Sequence, residues 1–226
     1  MYCKKYSVPF ALLLFGAATA AAQTAGDVPC QSPQALGDVD RADGARLETR
    51  FGGMHPLLPG QTLYVPTDAL VTAGTGAEVL RRQACAAGTV IVGRVNTRRF
   101  LAAPEGRLVF ATHEVQVEEI LANRAAATVT VGERITAVRA GGAVCAEGSA
   151  VRTVADTQAP LAEGGRHVLF LRYVSATGSY ETSNGDLLLG EDGSVRRLVS
   201  ENEVVDPVNA LAADAALAAL RGASCE

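Results

Sequence analysis

The centre of the chain carries the clearest pattern of apolar and polar positions. Residues 109–120 alternate between apolar and polar side chains. A period of two over this length predicts a long β-strand with one face in solvent. Residues 89–95 are almost continuously apolar, which predicts a second strand that is buried on both faces.

Shorter apolar runs extend this predicted sheet towards the C-terminus. Asn184-Gly185 and Asp192-Gly193 tolerate the positive φ of tight turns, so each predicts a hairpin between the strands that flank it. The further predicted strands are 128–131, 135–138, 167–173, 180–183, 187–189 and 195–199. Residues 140–160 show no clear period and are predicted to form a long loop.

The region before the sheet, residues 23–87, is predicted to be an N-terminal arm with one short helix. Residues 23–44 are expected to be irregular, and 61–65 to form an edge strand. Thr75 and Glu78 have the spacing of a capping box, in which hydroxyl and carboxylate accept the free N–H groups of a first helical turn. The helix of the arm is therefore predicted to begin there.

A second helix is predicted at the C-terminus. Asp206 can cap it, Pro207 suits its first turn, and Gly222 suits its end. Its body, residues 208–220, is rich in Ala and Leu and lacks a polar stripe. Such a helix is expected to pack against the sheet.

The first 22 residues have the order of a secretory signal peptide. Lys4 and Lys5 precede an apolar run at 8–18 and small residues at 19–22. The run is shorter than the roughly 20 residues that a membrane-spanning helix needs, and no cysteine follows it where a lipoprotein anchor would require one. We therefore expect an exported protein, periplasmic or secreted, without a stable membrane anchor.

The charge of the predicted mature chain disfavours two classes of partner. Once Lys4 and Lys5 are removed, 18 arginines face 24 acidic residues. Nucleic acid recognition requires a basic patch, and docking to anionic lipid requires basic clusters. We expect no nucleic acid partner.

Four cysteines remain after the signal peptide, and they are expected to form two disulfides. Four cysteines allow three connectivities, between which the sequence does not decide. We favour Cys85 with Cys145 and Cys30 with Cys225. Because no two of them lie close together in the sequence, a zinc site is disfavoured.

Three strand patterns carry a resemblance to a known family. They are VIVGRV at 90–95, VQVEEIL at 115–121 and GGRHVLFL at 164–171. They resemble exported bacterial proteins with an OB-like barrel of the netrin and tissue-inhibitor-of-metalloproteinase type. The resemblance implies a mainly β fold, with a small OB-like barrel and C-terminal helix over 88–226 behind the N-terminal arm.

The resemblance supports a prediction of the fold, but it does not support the family's inhibitory activity. Metalloproteinase inhibitors of this type bind the target's zinc through the amine and carbonyl of an N-terminal cysteine. Here the predicted mature chain begins at Gln23, its first cysteine is Cys30, and His167 stands where the family pattern has tyrosine. The residues that would carry the inhibitory mechanism are thus absent from their expected places.

The histidines are the first candidates for chemistry. His113 lies on the apolar face of a predicted strand and is followed by Glu114, but Val117 stands where the metalloprotease motif H-E-x-x-H needs its second histidine. We expect His113 to be partly buried and hydrogen-bonded to a neighbouring strand or loop. His55, His113 and His167 lack metal-site spacing, so no metal or other cofactor is predicted.

Two groups of acidic residues are weaker candidates. Asp38, Asp40 and Asp43 precede Gly44 but do not fit the ligand positions of a calcium loop, so a solvated acidic arm is predicted. Glu114, Glu118 and Glu119 could be paired acids for glycoside cleavage, but Glu114 and Glu118 lie on the same strand face as Gln116, so a solvated outer face is predicted instead. No catalytic residue is assigned.

The sequence favours a non-enzymatic binding protein whose ligand is unknown, with another extracytoplasmic protein as a candidate partner. The loop at 140–160 and the solvated barrel face are its candidate contact surfaces. One alternative is a secreted protease inhibitor, which follows from the resemblance. The other is an extracytoplasmic hydrolase that uses the histidines and Glu114.

Overall fold

A computed structural model describes residues 30–66, 73–125, 127–156, 158–198 and 206–225. The predicted signal peptide lies outside these ranges. The helices are α1 (Asp38–Phe51), α2 (Gly76–Ala86) and α3 (Ala213–Arg221), with a 3₁₀ helix at Pro207–Ala210. The strands are β1 (Thr62–Val65), β2 (Thr89–Ala102), β3 (Val109–Asn123), β4 (Arg134–Ala140), β5 (Gly142–Ala146), β6 (Ser149–Ala155), β7 (Arg166–Val174), β8 (Ser179–Thr182), β9 (Leu187–Leu189) and β10 (Val195–Arg197).

Five strands close into a barrel. Strand β2 pairs with β3 and β7, β3 with β4, and β7 with β8, all antiparallel. The parallel pair of β4 and β8 completes the ring. This order is compatible with the OB-like barrel that the resemblance implies. The mainly β fold that the sequence predicts is confirmed.

Apolar side chains from all five barrel strands fill the interior. Successive side chains of a strand point to opposite faces, so alternate residues point inward. The inward residues include Ile91, Val95, Val115, Val117, Ile135, Ala137, Leu169, Leu171 and Tyr180. On the outer face of β2 and β7, Val92 and Phe170 pack against α2 and α3. The prediction that residues 89–95 are buried on both faces is confirmed.

A second, three-stranded sheet contains the segment predicted to be a long loop. Strands β5 and β6 form an antiparallel hairpin, and β1 pairs with β6 in parallel. The two turn residues, Glu147 and Gly148, have φ of 49° and 79°, as a type I′ turn requires. Glutamate is not a usual residue at such a position, so the sequence carries no hairpin signal. The predicted loop at 140–160 is wrong, whereas the edge strand at 61–65 is confirmed as β1.

Three other strand predictions need correction. Residues 128–131 form no strand. Asn184-Gly185 does not close a hairpin, because β8 and β9 pair with successive parts of the long strand β7. The first half of β3 is buried on both faces, since α1 and the β5–β6 hairpin cover it. The hairpin at Asp192-Gly193 is confirmed, as it joins β9 and β10.

The predicted helix starts are confirmed. Thr75 and Glu78 form the complete capping box of α2. Asp206 accepts a hydrogen bond from the Val208 N–H at 2.9 Å. The single C-terminal helix predicted at 208–220 is instead a 3₁₀ turn followed by α3, because Ala212 bridges to Ser194 between them. No helix in the described ranges has the length and apolar character that a membrane crossing requires.

Helix α1 overturns the expectation of an irregular, solvated acidic arm. Asp43 is fully buried and Asp40 nearly so. The Asp43 carboxylate accepts hydrogen bonds from the hydroxyls of Thr177 and Ser179, each at 3.0 Å. The helix was missed because its buried face contains carboxylates rather than an apolar stripe.

The disulfides are Cys30–Cys145 and Cys85–Cys225, so all four cysteines pair but the favoured pairing is wrong. Gln31 bridges to Val144, which brings Cys30 beside β5. Cys85 lies in α2, and α2 packs against α3, which ends shortly before Cys225. Contacts between distant parts of the chain determine the connectivity.

We expect the double substitution C30S/C145S to lower the free energy of unfolding by about 2–4 kcal/mol, because the unfolded chain loses a cross-link between residues 115 apart. Urea denaturation measures this difference. The matched variant C85S/C225S opens a loop of 140 residues and should lose a similar amount. Non-reducing peptide mapping that joins Cys85 to Cys145 would contradict the observed pairing.

Candidate functional site

Four ionisable side chains lie together inside one end of the barrel. His113, Arg139 and His167 occupy inward positions of β3, β4 and β7, next to the apolar inward residues of the same strands. Asp186 precedes β9. All four are buried. We call them the buried ionic cluster.

The contacts of this cluster combine backbone hydrogen bonds with one ion pair. The Nδ1 atom of His113 lies 3.4 Å from the Ala137 carbonyl oxygen, as expected for a histidine bonded to a neighbouring strand. Asp186 Oδ1 accepts a hydrogen bond from the Phe170 N–H at 2.9 Å. Asp186 Oδ2 lies 3.6 Å from Arg139 Nη1. The carboxylate thus joins β7 to β4 through the barrel interior.

Burial shifts the pKa of every member. Removal from water, together with the nearby Arg139 charge, holds the pKa of His113 well below its ordinary value. Burial lowers the pKa of His167 to about 4. It raises the pKa of Asp186 to about 7, although Arg139 and the Phe170 N–H favour the carboxylate. Both histidines are therefore neutral at pH 7.

The cluster is poorly placed for hydrolysis. His113 and His167 are fully buried, so a substrate in solution does not reach either imidazole. Glu114 follows His113 on the strand and points to the opposite face, so the two cannot act as an acid–base pair. These positions remove the geometric support for a hydrolase built on the histidines.

The three histidines do not converge. His113 and His167 share the barrel interior, whereas His55 is exposed in the segment before β1. Within the described ranges, no group of three His, Cys, Asp or Glu residues is placed to hold a metal ion.

The acidic residues of β3 take part in surface ion pairs. Glu118 contacts Arg94 at 3.0 Å and Arg166 at 2.7 Å. Glu119 binds Arg221 through both carboxylate oxygens. Their partial exposure agrees with the predicted solvated face, and their arginine partners hold them in structural contacts.

Sequence reasoning missed Arg139 and Asp186. Arg139 could have been found from the sequence. It alternates with Ile135 and Ala137 in a short apolar strand, so it points to the same, inward face. Asp186 carried no such signal, since its burial depends on how β9 pairs with β7. Only the closed barrel brings the two together.

A second candidate site lies on the surface, between α1 and the end of β1. Met54, Leu58 and Tyr64 have 83%, 60% and 66% of their surface exposed. They are three of the five large apolar side chains that are exposed in the described ranges, the others being Val39 and Val131. We call this stretch the Met54–Tyr64 segment.

The backbone of the Met54–Tyr64 segment is fixed on two sides. The Leu57 N–H donates to the Gly106 carbonyl at 2.8 Å, in the turn between β2 and β3. The Gly60 N–H donates to the Ala150 carbonyl at 3.1 Å, in the β5–β6 hairpin. The segment therefore presents apolar side chains on a constrained backbone.

The depressed histidine pKa predicts an acid-sensitive fold. Below pH 6.5 the unfolded chain protonates His167, whereas the folded protein does so only near pH 4. His167 thus binds more protons in the unfolded state, and its contribution to stability falls by about 3 kcal/mol as pH drops through this window. His113 and Asp186 also titrate differently in the folded and unfolded states, so we expect H167Q to remove only the His167 contribution: between pH 6.5 and 4, its urea-measured stability should change by about 3 kcal/mol less in the destabilising direction than that of the wild type. H55Q, at an exposed histidine, should keep the wild-type slope, and an unchanged slope in H167Q would contradict the assignment.

Comparison with models of known protein families finds no match to this chain, and comparison with curated proteins finds none either.

Proposed function

We propose that the protein is an exported, non-enzymatic binding protein, and that the Met54–Tyr64 segment contacts a protein partner outside the cytoplasm. One observation carries this proposal: three large, exposed apolar side chains are concentrated on one short segment whose backbone is held by hydrogen bonds. Exposed apolar residues that occur singly need no explanation, whereas grouped ones mark contact surfaces.

The energetics favour a protein partner. Covering a Met, Leu or Tyr side chain with an apolar surface contributes about 1.5–3 kcal/mol each. Because the segment's backbone is already constrained, binding costs less conformational entropy than it would for a mobile loop. Three such side chains can therefore act as the anchors of an interface.

Strand β1, at the end of the Met54–Tyr64 segment, adds backbone groups that can form hydrogen bonds with a partner. Within the described ranges, β1 pairs with β6 alone and is the edge of its sheet. Tyr64 points away from the core on this strand, whereas Val65 is buried beneath it. An edge strand offers backbone N–H and C=O groups to a partner. The edge thus supplies directional contacts beside the apolar anchors.

Two features support a location outside the cytoplasm. The N-terminal pattern is that of a signal peptide, and both disulfides are of the kind that persists in oxidising compartments. The acidic excess of the mature chain favours a partner other than nucleic acid or anionic lipid.

The test is cross-linking and co-purification of the tagged mature protein from its own cell envelope and medium. We expect a stoichiometric partner whose affinity for the variant M54S/L58S/Y64S is at least about tenfold lower. V131S is the matched control, because Val131 is 63% exposed in the turn after β3, and it should bind like the wild type. Equal melting temperatures show that both variants fold.

A partner retained equally by the wild type and the triple variant would refute the Met54–Tyr64 segment as the contact. A wild-type protein that captures no partner from envelope or medium would refute the binding function. Turnover of a peptide, ester or glycan substrate that a point variant abolishes would show an enzyme instead.

A secreted protease inhibitor is the second candidate, supported by the fixed position of the first described residues. Cys30 is linked to Cys145, and Gln31 exchanges backbone hydrogen bonds with β5, donating to the Ala143 carbonyl at 3.1 Å. A rigid segment at the barrel surface is a suitable inhibitory element. Inactivity against a broad panel of metalloproteases would remove this candidate.

A further inference from the structure

Two prolines lie three positions apart in the Met54–Tyr64 segment. Pro56 and Pro59 enclose two leucines, which gives the pattern P-x-x-P. A proline fixes its own φ at about −65°, and it restricts the residue before it to extended conformations. Residues 55, 56, 58 and 59 are therefore biased towards the polyproline II conformation, a left-handed helix with three residues per turn.

The structure agrees with this bias. Residues 56–58 lie outside any helix, strand, turn or bend, so the chain runs straight there. Pro59 and Gly60 then form the centre of a β-turn, since the Gln61 N–H donates to the Leu58 carbonyl at 3.0 Å. Gly60 has a φ of 83°, which after a proline makes this a type II turn. The first central residue of such a turn has φ and ψ close to those of polyproline II, so the stretch includes Pro59.

The exposure of the side chains follows a period of three. In a polyproline II helix, residues three apart lie on the same edge. His55 and Leu58 share one edge, Pro56 and Pro59 share the second, and all four are exposed. Leu57, on the third edge, is half-buried and packs against buried side chains of β2, β3, β5 and β6. Two edges of the helix thus face solvent, and the third is fixed to the protein.

The backbone of this stretch is held in place but keeps unused acceptors. The Leu57 N–H donates to the Gly106 carbonyl at 2.8 Å, and the Leu58 N–H donates to the Gln61 side-chain oxygen at 2.9 Å. Among the described residues, no donor bonds to the carbonyls of residues 55, 56, 57 and 59. A groove lined by Tyr and Trp supplies both flat apolar rings for prolines and O–H or N–H donors for carbonyls.

We propose that the protein partner of the Met54–Tyr64 segment carries an aromatic-lined groove, in which residues 55–59 bind as a polyproline II helix. This inference rests on the proposed binding function and names the kind of partner. The two exposed edges enter the groove, while Leu57 keeps the helix attached to the barrel. Because the helix is already formed before binding, the entropy cost of ordering it is low.

A second copy of this chain does not offer such a groove on the part that the structure describes. The sequence contains no tryptophan. Tyr64 is the one aromatic side chain that is exposed in the described ranges, and a groove needs several. The partner is therefore a different protein.

The test compares proline variants of the full mature protein in binding to the partner that the wild type captures from envelope or medium. We expect P56A/P59A to bind the purified partner at least about tenfold more weakly, because alanine neither fixes the backbone nor fills a site between aromatic rings. P33A replaces an exposed proline that has no second proline three residues away, and it should bind like the wild type. Equal melting temperatures show that both variants fold.

Two further measurements do not depend on the folding of a proline variant. An excess of a synthetic peptide of residues 53–61 should displace the full protein from the partner, whereas the same peptide with both prolines replaced by alanine should not. Photo-cross-linking from p-benzoylphenylalanine in place of Leu58 should reach a partner groove that contains Tyr or Trp.

Equal binding by P56A/P59A and the wild type, together with loss of binding in M54S/L58S/Y64S, would overturn this inference and leave the proposed binding function intact. A cross-link to a partner surface without aromatic side chains would also overturn it. A wild-type protein that captures no partner would refute the proposed function itself, and this inference with it.

Discussion

Closure of the five-stranded ring is the constraint on which the rest of the structure depends. A sheet closes only when its strands bend and stagger. Strands β2 and β3, 14 and 15 residues long, bend at three irregularities in their pairing. Gly93 lies at one of them, where any side chain would collide with Val115 of the neighbouring strand. Once the ring is closed, each inward position must be filled by the side chain that the strand places there.

That geometry explains why charged groups are found inside a small barrel. Arg139 and Asp186 form a buried pair, and such a pair adds little net stability compared with apolar residues of the same size. Losing one partner is costly, because the other is then an unpaired buried charge. The pair nevertheless joins β4 to the segment before β9, two parts of the sheet that do not share backbone hydrogen bonds. Its contribution is to fix their relative position rather than to add stability.

The sequence predicts elements whose signals are local, and it fails where distant contacts decide. The alternation in β3 and the capping box at Thr75 can be recognised in the sequence, because each of them depends on residues only a few positions apart. The β5–β6 hairpin was missed because its turn requires a positive φ at Glu147, and glutamate is not a residue that indicates such a turn. Helix α1 was missed because partners from distant strands stabilise its buried carboxylates. The exposed apolar side chains of the Met54–Tyr64 segment were also missed, because the sequence does not show whether a residue such as Met54 is exposed or part of the core.

The β5–β6 hairpin lies between the two candidate sites, the buried ionic cluster and the Met54–Tyr64 segment. Its turn end accepts the Gly60 N–H at Ala150 and so positions the Met54–Tyr64 segment. At its base, Gly142 and Arg152 line a small pocket together with Arg139. The Cys30–Cys145 disulfide holds the same hairpin to the N-terminal arm. The hairpin is therefore in contact with both the barrel end and the Met54–Tyr64 segment. In the proposed binding function, the barrel is the support, and the proposed contact surface lies on a segment attached to it.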